Sequence, residues 1–429
     1  MATLGVKPDC VEPQLHAEAD PRRTAPPVRV LIVFNSIALY GMERQVIESF
    51  DLLRPEVEPH FLLSYTTYRK QLPLLKEIER RGLDHSFFSD RTDWPKIGHP
   101  RSLRHAWQMA MAMIKGNRDV LRRSVDCDAI YLPATGYGYF ALLGALYCRL
   151  RRKRVVFEFH DLPRSWQLRL RLISMLATDC VHRTRFGYDF TVRTNPYIAR
   201  KKTFICSGRT QAWRLCDSDP QVRRALAGKR NLLFVGQLSP HKGIDLLLGA
   251  FSSLASHYSD VHLHVLGGGP QEQELRRRIE SARLDSRVHL WGYRHDVHDF
   301  LRMTYLYIHP SPPSRVHEAF GRGPVEAMAQ GVPTVCFASG ALQETVLHET
   351  TGLVCDQETS ACLASNISRF LDDECFRRSC GQAALSRFQE LYSDDRIRGR
   401  WIEFFERTRS GVGPNRISSD PANGYVQRC

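Results

Sequence analysis

From Val28 the chain alternates short runs of consecutive apolar residues with longer stretches in which apolar residues recur every three or four positions. "VRVLIVF" at 28–34 is the continuous run of a strand buried on both faces, and "MERQVIESFDLL" after it has the spacing of an amphipathic helix. "HFLLSY", "DAIYLP" and "RVVFEF" repeat the strand pattern, with helical stretches such as "LPLLKEIERRG" and "YFALLGALYCRLR" between them. A polar, broken stretch, 207–230, interrupts this order, after which "NLLFVG", "VHLHVLG", "RVHLWG", "YLYIHPS" and "VPTVCF" begin a second alternation. The pattern predicts an α/β protein of two doubly wound parallel-sheet (Rossmann-like) domains facing a central cleft. Its expected divisions are a flexible tail at 1–27, a first domain at 28–206, a connection at 207–230 and a second domain at 231–382. Helices at 383–409 are expected to return to the first domain, and 410–429 to form a flexible tail.

Composition narrows the class. With 429 residues, 43% of them hydrophobic and 25% charged, the chain is ordinary globular protein with room for two full cores. The proline- and charge-rich N-terminus has no apolar segment of the kind a signal peptide needs, and no run reaches the roughly 18 apolar residues of a membrane span. Twelve cysteines are scattered without a Cys-x-x-Cys pair, which points to reduced thiols in the cytoplasm rather than to disulfides or a zinc site.

The net charge of +14 is concentrated, because residues 101–230 carry 26 Lys/Arg against 9 Asp/Glu while the flanking parts are close to neutral. Such a field attracts nucleic acid, an anionic membrane or an acidic substrate, or simply keeps one face solvated. No nucleic-acid-binding module is recognisable, so nucleic acid is not expected as a partner. "RHAWQMAMAMIKGNRDVLRR" and "RSWQLRLRLISML" mix Trp, Leu and Met with arginine as interfacial helices do, which predicts peripheral contact with an anionic membrane on its cytoplasmic face.

Candidate chemistry centres on "EAFGRGPVEAMAQGVPTV" at 318–335, where Glu318 and Glu326 flank a glycine- and proline-rich stretch that runs into a helix of small residues. A glycine-rich helix start offers backbone N–H groups to an anion such as phosphate. Carboxylates beside that anion are useful only if they reach past it to neutral hydroxyls, since two oxygens can accept from a vicinal diol. The plain alternative is a helix start with Glu326 favoured by the dipole and Glu318 in a solvated loop. In "LLFVGQLSPHKGIDLLLGAF", Lys242 precedes a helix start and adds a positive charge suited to phosphate, without the spacing of a Walker A loop. "DCD" at 126–128, the turn "GGGP" at 267–270, and the pair His262 and His264 are weaker signals, and no metal site is expected from them.

The succession from "VLGGGPQEQELRRRI" through the Glu318 stretch to "ASGALQETV" and "TTGLVC" resembles the nucleotide-sugar-binding half of the retaining glycosyltransferases of family 4, which have the GT-B fold. Their hallmark is Glu, seven residues, Glu. The resemblance covers about residues 28–408, strongly in the second half and weakly in the first. It implies that Glu326 holds the donor ribose, Glu318 contacts the donor sugar, and Lys242 binds the pyrophosphate together with Phe320, Gly321, Arg322 and Gly323 at the helix terminus. Gln237 stands where many relatives have an arginine, and Tyr293 and Arg294 lie where the base is expected. In the first domain, Gly41 matches the glycine loop near the phosphates or acceptor. His160 in "FEFHD" matches the histidine that faces the transferred sugar, a capping histidine being its structural alternative. The implied activity is a retaining, metal-independent hexosyl transfer from a nucleotide-diphosphate sugar to a glycan or lipid-linked acceptor in polysaccharide or glycolipid synthesis, with no separate cofactor. A sugar-nucleotide epimerase or a phosphorylase on the same architecture, or a non-catalytic nucleic-acid-binding protein, is the rival expectation.

Overall fold

A computed structural model of the chain describes residues 26–34, 41–64, 72–89, 102–133, 141–160, 162, 168–208, 220–294 and 296–406. Among the described residues, seven strands form the first sheet: β1 (Val28–Phe34), β2 (Val57–Leu63), β3 (Asp84–Phe87), β4 (Ala129–Pro133), β5 (Arg154–Phe159), β6 (Asp179–His182) and β7 (Lys202–Ile205). Six form the second: β8 (Arg230–Val235), β9 (Val261–Leu266), β10 (Val288–Gly292), β11 (Leu306–His309), β12 (Thr334–Phe337) and β13 (Gly352–Cys355). The strand orders are β3-β2-β1-β4-β5-β6-β7 and β10-β9-β8-β11-β12-β13, and every pairing is parallel. The two doubly wound domains expected from the hydrophobic pattern are therefore present. Parallel strands need crossover helices on both faces, which is why β1, β4 and β8 are apolar almost throughout. In each sheet the winding direction reverses beside the first strand, between β1 and β4 and between β8 and β11. Such reversals open a crevice at the strands' carboxyl ends, where α/β sheets bind ligands.

Two helices outside the strand-helix alternation set the domain limits. Helix Pro220–Leu226, within the stretch read as a connection, buries Val222 and Leu226 against Leu233, Phe300 and Tyr307 of the second domain. The last helix, Asp394–Glu406, inserts Ile397, Trp401, Phe404 and Phe405 into the core of the first domain. Arg398 donates to the carbonyl of Leu52 (3.2 Å) and pairs with Glu56, which fixes that helix in place. The intervening helix Glu374–Leu391 instead packs Ala384 and Phe388 against Val325 and Met328 of the second domain.

The weaker motifs have structural explanations. Gly267 adopts φ 134°, and a Cβ there would come within 1.9 Å of the Gly236 carbonyl, so the glycine turn lets two backbones approach at the ends of β8 and β9. Asp128 accepts from the Arg29 amide (2.9 Å) and joins β1 to the start of β4. Among the described residues no cluster of three metal-ligating side chains occurs.

His262 and His264 join His289 in a ring stack across β9 and β10, with centroids 5.3 and 4.9 Å from His289. Trp291 Nε1 donates to His264 Nδ1 (3.1 Å), which leaves Nε2 to donate to Asn231 Oδ1 (3.0 Å) and defines a neutral ring. Burial, reinforced by the neighbouring cations, lowers the pKa of His264 to about 3 and of His262 to about 4, and lowers that of His289. Each ring ordinarily titrates near 6.5, so between that pH and about 4 the unfolded chain binds more protons than the folded one. Stability is therefore expected to be complete above pH 6.5 and to fall as pH drops through this window. Urea midpoints measured from pH 7.5 to 4.5 check this, and His289→Phe is expected to flatten the dependence.

Candidate active site

The site is assembled at the carboxyl ends of β8 and β11. After β8 the chain passes Gln237, which is exposed, and makes a single turn at Pro240–Lys242. It then enters helix Ile244–Ala255 through Gly243 at φ 67°. A Cβ on Gly243 would lie 1.8 Å from the Pro310 carbonyl, so only glycine allows the β8 turn to lean on the loop after β11. That close approach places Lys242 beside Glu318. Lys242 Nζ donates to Glu318 Oε1 at 2.7 Å, Ser311 Oγ donates to the same oxygen at 2.7 Å, and His309 Nε2 lies 3.3 Å from it. Burial works to raise the Glu318 pKa, but the hydrogen bond and charge of His309, with those of Lys242, hold the carboxyl well below the usual carboxylate range.

The backbone of Glu318 is clamped from β12. Its carbonyl accepts from the Ala341 amide at 2.8 Å, and Gly340, at φ 56°, passes so close that a Cβ would be 2.3 Å from that carbonyl. The segment then turns at Gly321 (φ 83°) into the short helix Arg322–Met328. Gly323 lies against the hydroxyl of Tyr307, where a Cβ would be 2.0 Å away. Phe320 is packed with Val325, Met328 and Phe388 and braces the turn from within the core. Glu326, buried, accepts from Arg322 Nε at 2.7 Å, and Arg322 Nη2 lies 3.4 Å from Glu48 Oε2 on helix Gly41–Leu52 of the first domain.

The first domain meets this assembly directly. Thr184 Oγ1 donates to the carbonyl of Ala319, next to Glu318, at 3.0 Å. Glu344 of the second domain accepts from the amides of Arg185 (2.9 Å) and Phe186 and so caps helix Arg185–Thr194. His160, at the end of β5, is held by buried Glu158 at 2.6 Å, and Glu158 also takes Arg183, the neighbour of Thr184. Lys242, Glu318, Gly321, Arg322, Gly323 and Glu326 are thus gathered into one region, linked through Glu48 to the first helix of the other domain and through Ala319 and Thr184 to the strand ends that carry His160.

Other expected positions differ in their surroundings. Gly41 begins its helix, but the loop residues 35–40 before it lie outside the described residues, as does Asp161 after His160. Tyr293 is exposed beyond β10, and Arg294 is engaged by Asp296 (2.8 Å through Nε) with its guanidinium over Trp291 and Phe300. The sequence reading did not single out Ser311 and His309, which share the Glu318 carboxylate, or Glu158 and Arg183 beneath His160. Glu158 was legible: residues two apart on a strand face the same side, so a lone Glu in the apolar run "RVVFEF" just before His160 was bound to neighbour it.

Comparison with known proteins places the second domain. Residues 217–387 match the family model described as Glycosyl transferases group 1. The 2-deoxystreptamine N-acetyl-D-glucosaminyltransferase of Niallia circulans is 22% identical over 267 residues, 58% of this chain and 68% of that protein. The phosphatidylinositol N-acetylglucosaminyltransferase gpi3 subunit of Schizosaccharomyces pombe is 27% identical over 44% of this chain, a match spanning only 39% of that protein's length. The crystal structure of Anabaena Alr3699/HepE in complex with UDP superposes with a TM-score of 0.72 at 20% identity, covering 89% of this chain and 100% of that one. Residues 217–387 are thus similar to the glycosyl transferases group 1, and the two parallel-sheet domains together share the fold of the superposed structure.

Proposed function

We propose that the protein is a retaining glycosyltransferase that moves a sugar from a nucleoside-diphosphate sugar to a glycan or lipid-linked acceptor. The observation that carries this reading is the pairing of Lys242 with Glu318 at the winding reversal of the second sheet, with Glu326 on the helix that follows. In glycosyl transfer, charge grows on the departing diphosphate while the sugar becomes oxocarbenium-like. Lys242 and the glycine-rich turn at Gly321 supply positive charge and backbone donors to the diphosphate, without calling on a metal ion. On this reading Glu326 accepts from the ribose diol and Glu318 from hydroxyls of the transferred sugar. Transfer occurs on one face of the sugar, with the leaving phosphate accepting the acceptor's proton.

The acceptor is met at an anionic membrane surface. Helices Leu103–Ser124, Leu142–Leu150 and Leu168–Leu176 lie side by side on the first domain. They expose Leu103, Trp107, Ile114, Leu146, Leu150 and Met175. Residues 103–125, 142–152 and 168–176 carry ten Lys/Arg and a single acidic residue, Asp119, which is buried. Among the described residues no helix is long and apolar enough to cross a membrane; on this reading the exposed apolar and basic side chains engage the bilayer surface as interfacial helices do.

Incubation with a panel of nucleotide sugars tests the activity: release of nucleoside diphosphate supports it. Recovery of an epimerised sugar nucleotide without diphosphate release overturns it in favour of an epimerase. Sedimentation with phosphatidylglycerol-containing vesicles, reversed by salt at about 1 kcal/mol per basic residue, is expected of the parent protein and weakened by Arg151→Glu with Arg152→Glu. Equal partitioning to neutral vesicles, or none to either, would instead favour a soluble acceptor.

A further inference from the structure

We propose that Glu158 is a positioning residue for His160, fixing the imidazole with its Nε2 proton turned to the carboxylate and its Nδ1 lone pair left for the transferred sugar. This rests on the glycosyltransferase reading for the sugar, and on geometry alone for the ring.

Glu158 is fully buried in the middle of the first sheet, where its neighbours on β5 are Val155, Val156, Phe157 and Phe159. A carboxylate in such a place is costly unless it is ionically and geometrically matched. Three groups from this strand and its two neighbours converge on it. Tyr131 of β4 donates to Oε2, His160 Nε2 lies 2.6 Å from the same oxygen, and the Arg183 guanidinium, just beyond β6, pairs with Oε1. Burial pushes the Glu158 pKa upward, yet the charge of Arg183 and the His160 contact hold it at about 2, so the group is an anion at neutral pH. An anionic carboxylate can only accept, which requires the facing nitrogen of His160 to carry hydrogen.

The network is not optimised for stability. Arg183 Nε and Nη1 are buried without hydrogen-bond partners, as is Nε2 of nearby Gln45. Removing the carboxylate alone would strand the Arg183 charge and the Tyr131 hydroxyl, so Glu158 is needed by its partners, while the unpartnered Arg183 nitrogens show that the network is not built for stability alone. The arrangement has a mechanical consequence instead. The ring cannot flip or change tautomer without breaking the contact with Glu158, and in the neutral ring this leaves Nδ1 as the acceptor. A fixed lone pair beside a sugar that develops positive charge stabilises that charge without reorganisation. Because Arg183 precedes Thr184, which bonds the Ala319 carbonyl, the same network ties the orientation of His160 to the contact between the domains beside Glu318.

Histidine 15N NMR tests the ring directly. In the parent protein His160 is expected to show a protonated Nε2 and an unprotonated Nδ1, and Glu158→Gln is expected to yield a mixed tautomer. Glu158→Asp, which keeps the charge but shortens the reach, serves as the second variant if the first does not fold, and the same loss of a single tautomer is expected. For the nucleotide sugar that the parent turns over fastest, kcat is expected to fall about 10- to 100-fold in either variant, the range typical of residues that orient a reacting ligand. The affinity for UDP or GDP, whichever the parent binds, is expected to stay within twofold, and the pH–rate profile to shift. A parent spectrum with Nδ1 protonated, or an unaltered tautomer in both variants, overturns the proposal. So does an equal loss of kcat and diphosphate affinity. If the parent turns over no nucleotide sugar, the activity reading falls, while the NMR spectra still decide whether Glu158 holds the ring.

Discussion

Lys242→Ala is expected to weaken nucleoside-diphosphate binding by about 30- to 100-fold, the equivalent of a charge-assisted hydrogen bond of about 2–3 kcal/mol. An ammonium group has three donors, so Lys242 can keep its 2.7 Å bond to Glu318 and still reach a phosphate oxygen. Removing it has two effects, which calorimetry and unfolding measurements separate. Phosphate loses its cation, and the partly buried Glu318 carboxylate keeps only Ser311 and His309, at a stability cost of about 1–3 kcal/mol. The double variant Lys242→Met with Glu318→Gln is expected to recover that stability without recovering diphosphate affinity. Unchanged binding of both UDP and GDP by a folded Lys242→Ala protein, when the parent binds one of them, would remove Lys242 from the donor site.

Trp401→Ala is expected to lower the stability of the first domain by about 3–5 kcal/mol, the usual cost of emptying a fully buried aromatic site. Its indole is stacked at 5.9 Å on Phe405 and lies 6.1 Å from Tyr131, the residue that also donates to Glu158. The helix that carries it leaves the second domain and closes the core of the first, so the loss loosens the connection between domains as well as the packing. A urea midpoint shifted strongly downward, with reduced turnover at unchanged diphosphate affinity, is the expected result. A change below about 1 kcal/mol would mean that helix Asp394–Glu406 is not docked in solution.

Much of the architecture was legible because a parallel sheet imposes a one-dimensional signature. Runs such as "VRVLIVF" and "NLLFVG" are apolar at consecutive positions only where both faces are covered, and two such series imply two sheets. The turn at Gly321 and the helix start after it were legible for a similar reason, since glycine-rich helix starts depend on near neighbours. Helix Pro220–Leu226 was less so: it lies in a polar, arginine-rich stretch, and only Val222 and Leu226 reveal its packed side.

Side-chain partners across the fold could not be read along the chain. Nothing near Lys242 in sequence points to Glu318, 76 positions away, and Arg322 gives no sign of reaching Glu48 in the other domain. The pair His262 and His264 read only as weak signals along the chain, and His289 as none, until the register of β9 on β10 stacked the three rings. The sequence by itself determined the strands, the helices, the two domains and the local chemistry of the glycine-rich turns, because these follow from periodicity and from backbone constraints within a few residues. The tertiary structure alone decided which charges are paired and which rings are neutral, because those depend on distances of about 3 Å and on burial that arise only when separate strand ends converge.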